Sequence, residues 1–168
     1  MDSHLQQLHD EITSAIRGMP PEQLMRHPEG KWSTAEILEH LLYTYIGTSK
    51  AMAFTLEAGR PLGRTPTLKE RLQKLWVLDL GSLPEGRTAP ERTRPRGMGP
   101  QEILQQIGPR ILEMDDLIAQ CESRFGRRAL VRDHPILGPF TCAQWRKFHL
   151  VHGRHHVKQI KRLIKVSM

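Results

Sequence analysis

The chain has 168 residues, 38% of them hydrophobic and 26% charged, which suits one domain over residues 1–168 with a single core and excludes wholesale disorder. Aromatics make up only 5%, so the core must come from Leu, Ile, Met and Ala, a mixture that favours helices over sheets. The net charge of +7 invites nucleic acid as a partner, whereas no run approaches the roughly 20 apolar residues of a membrane-spanning helix, and two cysteines exclude a disulfide framework.

In chain order, the spacing of Leu5, Leu8, Ile12 and Ile16 predicts a first helix from about Ser3 to Gly18, ended by Gly18 and Pro20-Pro21. A second helix opens at Ser33, where Ser33 and Glu36 form a capping box and Trp32 can pack on Ile37. Ile37, Leu38, Leu41, Leu42 and Tyr45 are its apolar stripe, and it persists to about Ala58. A long connection from Gly59 to Gly99 follows, with a short helix around Thr67, Leu68, Leu72 and Leu75, and an exposed, mobile loop expected over Gly81 to Gly99. The third helix starts near Pro100, carries Ile103, Leu104, Ile107, Ile111, Leu117 and Ile118, and ends before Gly126. Gly108-Pro109 is expected to kink or interrupt it. The fourth helix opens on a second capping box, Thr141 with Gln144, and a second staple, Phe140 on Trp145. The expectation is an all-α four-helix bundle with a long loop or short helix between its second and third helices.

Two groups of cations fall outside any aromatic-interleaved surface: Arg87, Arg92, Arg94 and Arg96 in the loop, and Lys158, Lys161, Arg162 and Lys165 at the end of the last helix, where they complement its dipole. A solvated basic surface explains them better than a nucleic-acid site. The polar N-terminus, Met1-Asp2-Ser3-His4, lacks a secretory signal, and Cys121 and Cys142 read as reduced, buried thiols of a cytoplasmic protein. No Gly-rich phosphate loop is present, and no base is placed in sequence beside Cys142.

Of nine histidines, four lie within eight residues of the last helix. On a helical wheel His149, His152 and His156 share the apolar sector with Trp145, Ile160 and Leu163, while Lys147, Arg154, Lys158, Lys161 and Lys165 lie opposite. Several imidazoles on one buried stripe are hard to satisfy unless their ring nitrogens converge, and a divalent metal makes them converge. His152 and His156, four apart, place two ligands on one face. A bundle completes such a site from a facing helix, and the candidate there is His40, which lies on the flank of its stripe with Thr44, Gly47 and Thr48. His4, His9 and His27 read as surface or cap residues, and His134 as ordering its loop or lining the pocket.

The segment Gly30-Lys31-Trp32-Ser33-Thr34-Ala35-Glu36-Ile37-Leu38-Glu39-His40-Leu41 resembles the opening of the second helix in the DinB/YfiT-like superfamily. The segment His152-Gly153-Arg154-His155-His156-Val157-Lys158-Gln159-Ile160 resembles the histidine motif of its last helix, and His134 to Phe140 is also similar. The resemblance implies a four-helix bundle, often dimeric, with a divalent metal (Zn, Ni or Fe) on His40, His152 and His156. It also implies transfer of low-molecular-weight thiols for some members and no known activity for many.

His149 and His155 stand outside the implied three-ligand set; His149 is the candidate acid/base group near the metal, a hydrogen-bond partner of a ligand or a fourth ligand, with simple packing as the alternative. Three readings follow, in this order: a metal-dependent thiol transferase or hydrolase; a non-catalytic metal-binding or stress-related bundle; and a nucleic-acid-binding bundle using the Arg-rich loop. A small thiol substrate and a homodimer are the expected partners, with no membrane.

Overall fold

The computed structural model describes residues 1–27, 29–81, 83 and 88–166. Four long helices, α1 (Ser3–Ile16), α3 (Thr34–Glu57), α5 (Pro100–Phe125) and α6 (Cys142–Val166), form the expected bundle. Shorter elements join them: α2 (Pro21–Met25), α4 (Leu68–Lys74) continuing into a π-helical turn (Leu75–Asp79), one 3-10 turn (Glu91–Thr93), and an antiparallel hairpin of β1 (Arg132–His134) and β2 (Gly138–Phe140). Along the bundle α3 packs mainly on α5 and α1 mainly on α6. No described helix is long and apolar enough to cross a membrane.

The caps act as their residues dictate. Ser33 Oγ accepts from the Glu36 amide at 3.2 Å while the Ser33 amide donates to Glu36 at 2.8 Å. Thr141 and Gln144 exchange the same pair of bonds at 3.0 and 3.3 Å, and the Phe140 and Trp145 rings meet edge-on at 5.2 Å. Thr67 caps α4 through Glu70 in the same way. These boxes fix where α3 and α6 begin, and therefore at what height their histidines stand.

The core draws on every long helix, with Leu8, Ile12, Leu38, Leu41, Ile103, Ile111, Met114 and Ile160 essentially inaccessible. Cys121 and Cys142 are free and buried there. Burial raises both thiols, Cys142 to about 12, so neither supplies a thiolate nucleophile at neutral pH. At Gly153 the α1–α6 approach is so close that an added Cβ would run into Leu8 Cδ1. A buried ion-pair cluster ties the opposite side: Arg146 of α6 bonds Asp115 at 3.2 Å and Glu122 at 2.7 Å, both on α5.

Three features differ from the sequence expectation. The third helix runs unbroken through Pro109, because Ile103, Ile107, Ile111 and Met114 bury its face on both sides of the missing amide, and Gly108 lies against the His9 ring without steric conflict. The β hairpin and α2 were not expected. Each strand holds three residues, and Pro139 interrupts any alternation of the kind that marks a strand. The loop expected over 81–99 is, from Thr93 to Met98, bonded across α3; Arg87 lies outside the described residues.

Candidate metal centre

His152 and His156 stand one turn apart on α6, and His40 faces them from α3. His152 Nε2 lies 3.4 Å from His40 Nε2 and 3.1 Å from His156 Nε2, and one ligand atom from each of the three rings falls within 4.8 Å of the others. His40 and His156 are buried and His152 is half-buried. Among the described residues this is the one group of three or more His, Cys, Asp or Glu side chains so placed.

The partners of the remaining ring nitrogens decide which nitrogen offers its lone pair. The Nδ1–H of His40 donates to the Thr93 carbonyl at 2.8 Å, and that of His156 to Gln159 Oε1 at 2.8 Å. Both bonds need the proton on Nδ1, so both Nε2 atoms present lone pairs to the same space. A proton on His152 Nε2 can point at only one of those lone pairs, and His152 Nδ1 is buried without a protein partner. A cation among the three nitrogens satisfies all of them. The two spacings to His152, 3.4 and 3.1 Å, agree with a metal–nitrogen distance of about 2.0–2.1 Å, at which tetrahedral ligands stand about 3.3 Å apart. The residues fit a divalent transition metal.

Electrostatics point the same way. Burial lowers the pKa of His40 against the opposing pull of the Thr93 carbonyl. Burial and the neighbouring His156 and His40 hold His152 well below the ordinary imidazole value, and burial then His40 push His156 down to about 3. Neutral imidazole is the form that ligates.

The walls are aromatic. Trp32 lies 5.4 Å from the His40 ring, and Phe148 stacks on His152 at 5.4 Å and 10°. His134 packs on Phe148 at 4.4 Å, and its Nδ1 accepts from the amides of Ile136 and Leu137, each at 3.2 Å, which orders the hairpin turn.

A DinB superfamily model matches residues 4–160. The chain belongs to the DinB superfamily. No curated protein and no solved structure matches it.

The other histidines of this DinB protein are elsewhere. His149 is fully buried one turn before His152, its Nε2 3.0 Å from Thr48 Oγ1 and its ring against Tyr45 and Trp145. Burial pushes it down to about 3, and it is not in the three-ring group. His155 Nε2 meets Gln159 Nε2 at 3.1 Å, so one amide serves both His155 and His156. Arg154 bonds Glu11 and Gln7 of α1, away from the site. His4 lies at the N-terminal cap of α1 beside Asp2, and His9 and His27 are surface residues near Asp10 and Glu36.

Sequence reasoning missed the residues that hold the three histidines in place. Glu39 is only 1% exposed, yet its carboxylate accepts from the amides of Arg96, Gly97 and Met98 at 2.8, 3.1 and 3.1 Å and from Tyr43 Oη at 2.9 Å. It binds the 93–98 segment as a strap across α3, and the strap carries the Thr93 carbonyl that orients His40. The available signal was an acidic residue in the apolar run Ile37-Leu38-Glu39-His40-Leu41, where an unpaired carboxylate is costly.

Proposed function

We propose that this DinB-superfamily protein holds one divalent transition metal on His40, His152 and His156 and uses it as a metal-dependent enzyme acting on a low-molecular-weight thiol. One observation supports the reading above all others: two imidazoles whose Nδ1 protons are committed to Thr93 and Gln159 turn their Nε2 lone pairs on a third. Three protein ligands leave a coordination position open, the pattern of catalytic rather than structural sites. Bound there, such an ion supplies Lewis acidity, holding a thiol or a water deprotonated near neutral pH.

The protein's own part is to keep three imidazoles neutral, fix the tautomers of His40 and His156 and wall the site with Trp32 and Phe148. Membership in the superfamily supports thiol transfer over hydrolysis as the reaction.

Elemental analysis of purified wild type beside His152→Ala tests the metal: about one equivalent is expected in the first and a small fraction of it in the second. Equal content in the two removes the site. Incubating a small thiol with an electrophile, and separately an ester or amide, before and after chelation then tests the chemistry. Metal-dependent conjugation supports thiol transfer; metal-dependent cleavage without conjugation supports hydrolysis; a chelator-sensitive melting temperature with neither activity leaves a non-catalytic metal-binding bundle.

A further inference from the structure

Two polar side chains that bond none of the three ligands each stand one residue away from one. Arg92 belongs to the 3-10 turn whose Thr93 carbonyl accepts from His40. His134, on β1, packs at 4.4 Å on Phe148, the ring that stacks on His152. The two are also close to each other. Burial, and after it the Arg92 guanidinium, push His134 down to about 4, so its ring is neutral at neutral pH.

Both offer donors and no acceptor. His134 Nδ1 is occupied by the amides of Ile136 and Leu137, each at 3.2 Å, so the proton of the neutral ring sits on Nε2. That N–H has no partner among the described residues, although the ring is half-buried beside Phe140, Trp145 and Phe148. Arg92 is equally unspent. Arg94 donates to the Ala89 carbonyl at 3.2 Å and Arg96 lies over the Tyr43 ring at 5.2 Å, whereas Arg92 pairs with no carboxylate and no carbonyl among the described residues. Neighbouring acids are committed elsewhere: Glu39 to the strap amides, and Asp133 to Arg64 at 3.1 Å.

A guanidinium and a neutral N–H, with no acceptor between them, select a group that only accepts; a carboxylate is such a group, and it is planar like the guanidinium that meets it. We propose that Arg92 and His134 form the binding site for a carboxylate of the substrate, so that the thiol of the preceding subsection, on whose reading this rests, is an anionic one. The substrate's sulfur then belongs to the side of the three histidines and its carboxylate to this edge, which fixes its orientation and favours acidic over neutral thiols. The net charge of +7 also draws anions from a distance, but at physiological ionic strength that attraction fades within about 8 Å. A preference that depends on Arg92, and not on other exposed cations, is therefore local.

Cobalt-loaded protein at physiological ionic strength is titrated with N-acetylcysteine and with its amide, which differ only in the carboxylate, and the sulfur-to-cobalt charge-transfer band reads binding. Wild type is expected to bind the acid about tenfold or more tightly than the amide. Arg92→Gln is expected to remove most of that preference, Arg92→Lys to keep part of it, and His134→Phe, which keeps a ring beside Phe148, to reduce it. Lys161→Gln, at an exposed cation near the end of α6, is the control that leaves it intact. Circular dichroism and cobalt content confirm that each variant is folded and loaded. The S-methyl derivatives of the same pair carry no thiol, so calorimetry with them tests the carboxylate separately. No band with either thiol, together with an Arg92-dependent preference in the S-methyl pair, retires the thiol reading and keeps the anion site. Equal binding of acid and amide by wild type overturns the proposal, and so does a preference that survives Arg92→Gln or falls equally in Lys161→Gln.

Discussion

At the scale of single residues, the three histidines differ in how they are supported, and the difference sets what each substitution does. His156 depends on one amide, Gln159 Oε1 at 2.8 Å, to keep its proton on Nδ1. Gln159→Ala leaves every ligand in place but frees that ring to take the other tautomer. Zinc affinity, followed by competition with a chromogenic chelator, is expected to fall about tenfold or more, the usual consequence of removing such a partner. Unchanged affinity would mean that burial alone orients His156. The same contrast explains what was legible in the sequence. His152 and His156 lie on the apolar stripe of their helix and are visible from spacing alone. His40 lies off its stripe, because the centre of that stripe faces α5 while its flank faces α6 and the strap; the wheel makes it a weak candidate from a facing helix, and the family resemblance supplies nearly all of its weight.

At the scale of elements, capping boxes and apolar spacing marked all four long helices, since each is a local pattern of three to seven residues. The strap was not visible, because it is held by one carboxylate 57 to 59 residues away in sequence. A loop rich in Arg, Pro and Gly carries no periodicity to announce such a partner. Glu39 satisfies three backbone amides at once, so Glu39→Ala leaves them without their acceptor and removes the partner of Tyr43 Oη. The expected loss is about 3 kcal/mol in urea denaturation, against about 1 kcal/mol for Tyr43→Phe, which removes a single bond and leaves the strap anchored. Glu39→Ala is also expected to weaken zinc binding although Glu39 touches no ligand, because the Thr93 carbonyl that orients His40 travels with the strap. Loss of stability with intact zinc affinity would show that Thr93 stays in place by other means.

At the scale of the whole molecule, the site places a pH-dependent load on the bundle. His134, His149 and His156 are held down at about 4, 3 and 3, in each case chiefly by burial, and His40 and His152 are lowered in the same direction. In the unfolded chain all five return to the ordinary value near 6.5. Between that value and the folded ones, the unfolded state binds protons that the folded state refuses. Stability is therefore full above about pH 6.5 and falls as the pH drops toward 3, by about 1.4 kcal/mol per pH unit for each histidine that stays neutral in the fold. The metal-free protein is expected to show a urea midpoint that declines steeply below pH 6.5. His149 isolates the effect, because it is buried among Tyr45, Trp145 and Phe148 outside the ligand group. His149→Phe keeps a ring in that slot and removes the titrating group, so its profile should be shallower than wild type by one histidine's share while zinc content stays the same. A wild-type midpoint that is level from pH 7 to pH 5 would mean that the buried imidazoles accept protons in the folded state, and a ligand set that protonates so readily could not retain its ion in mild acid.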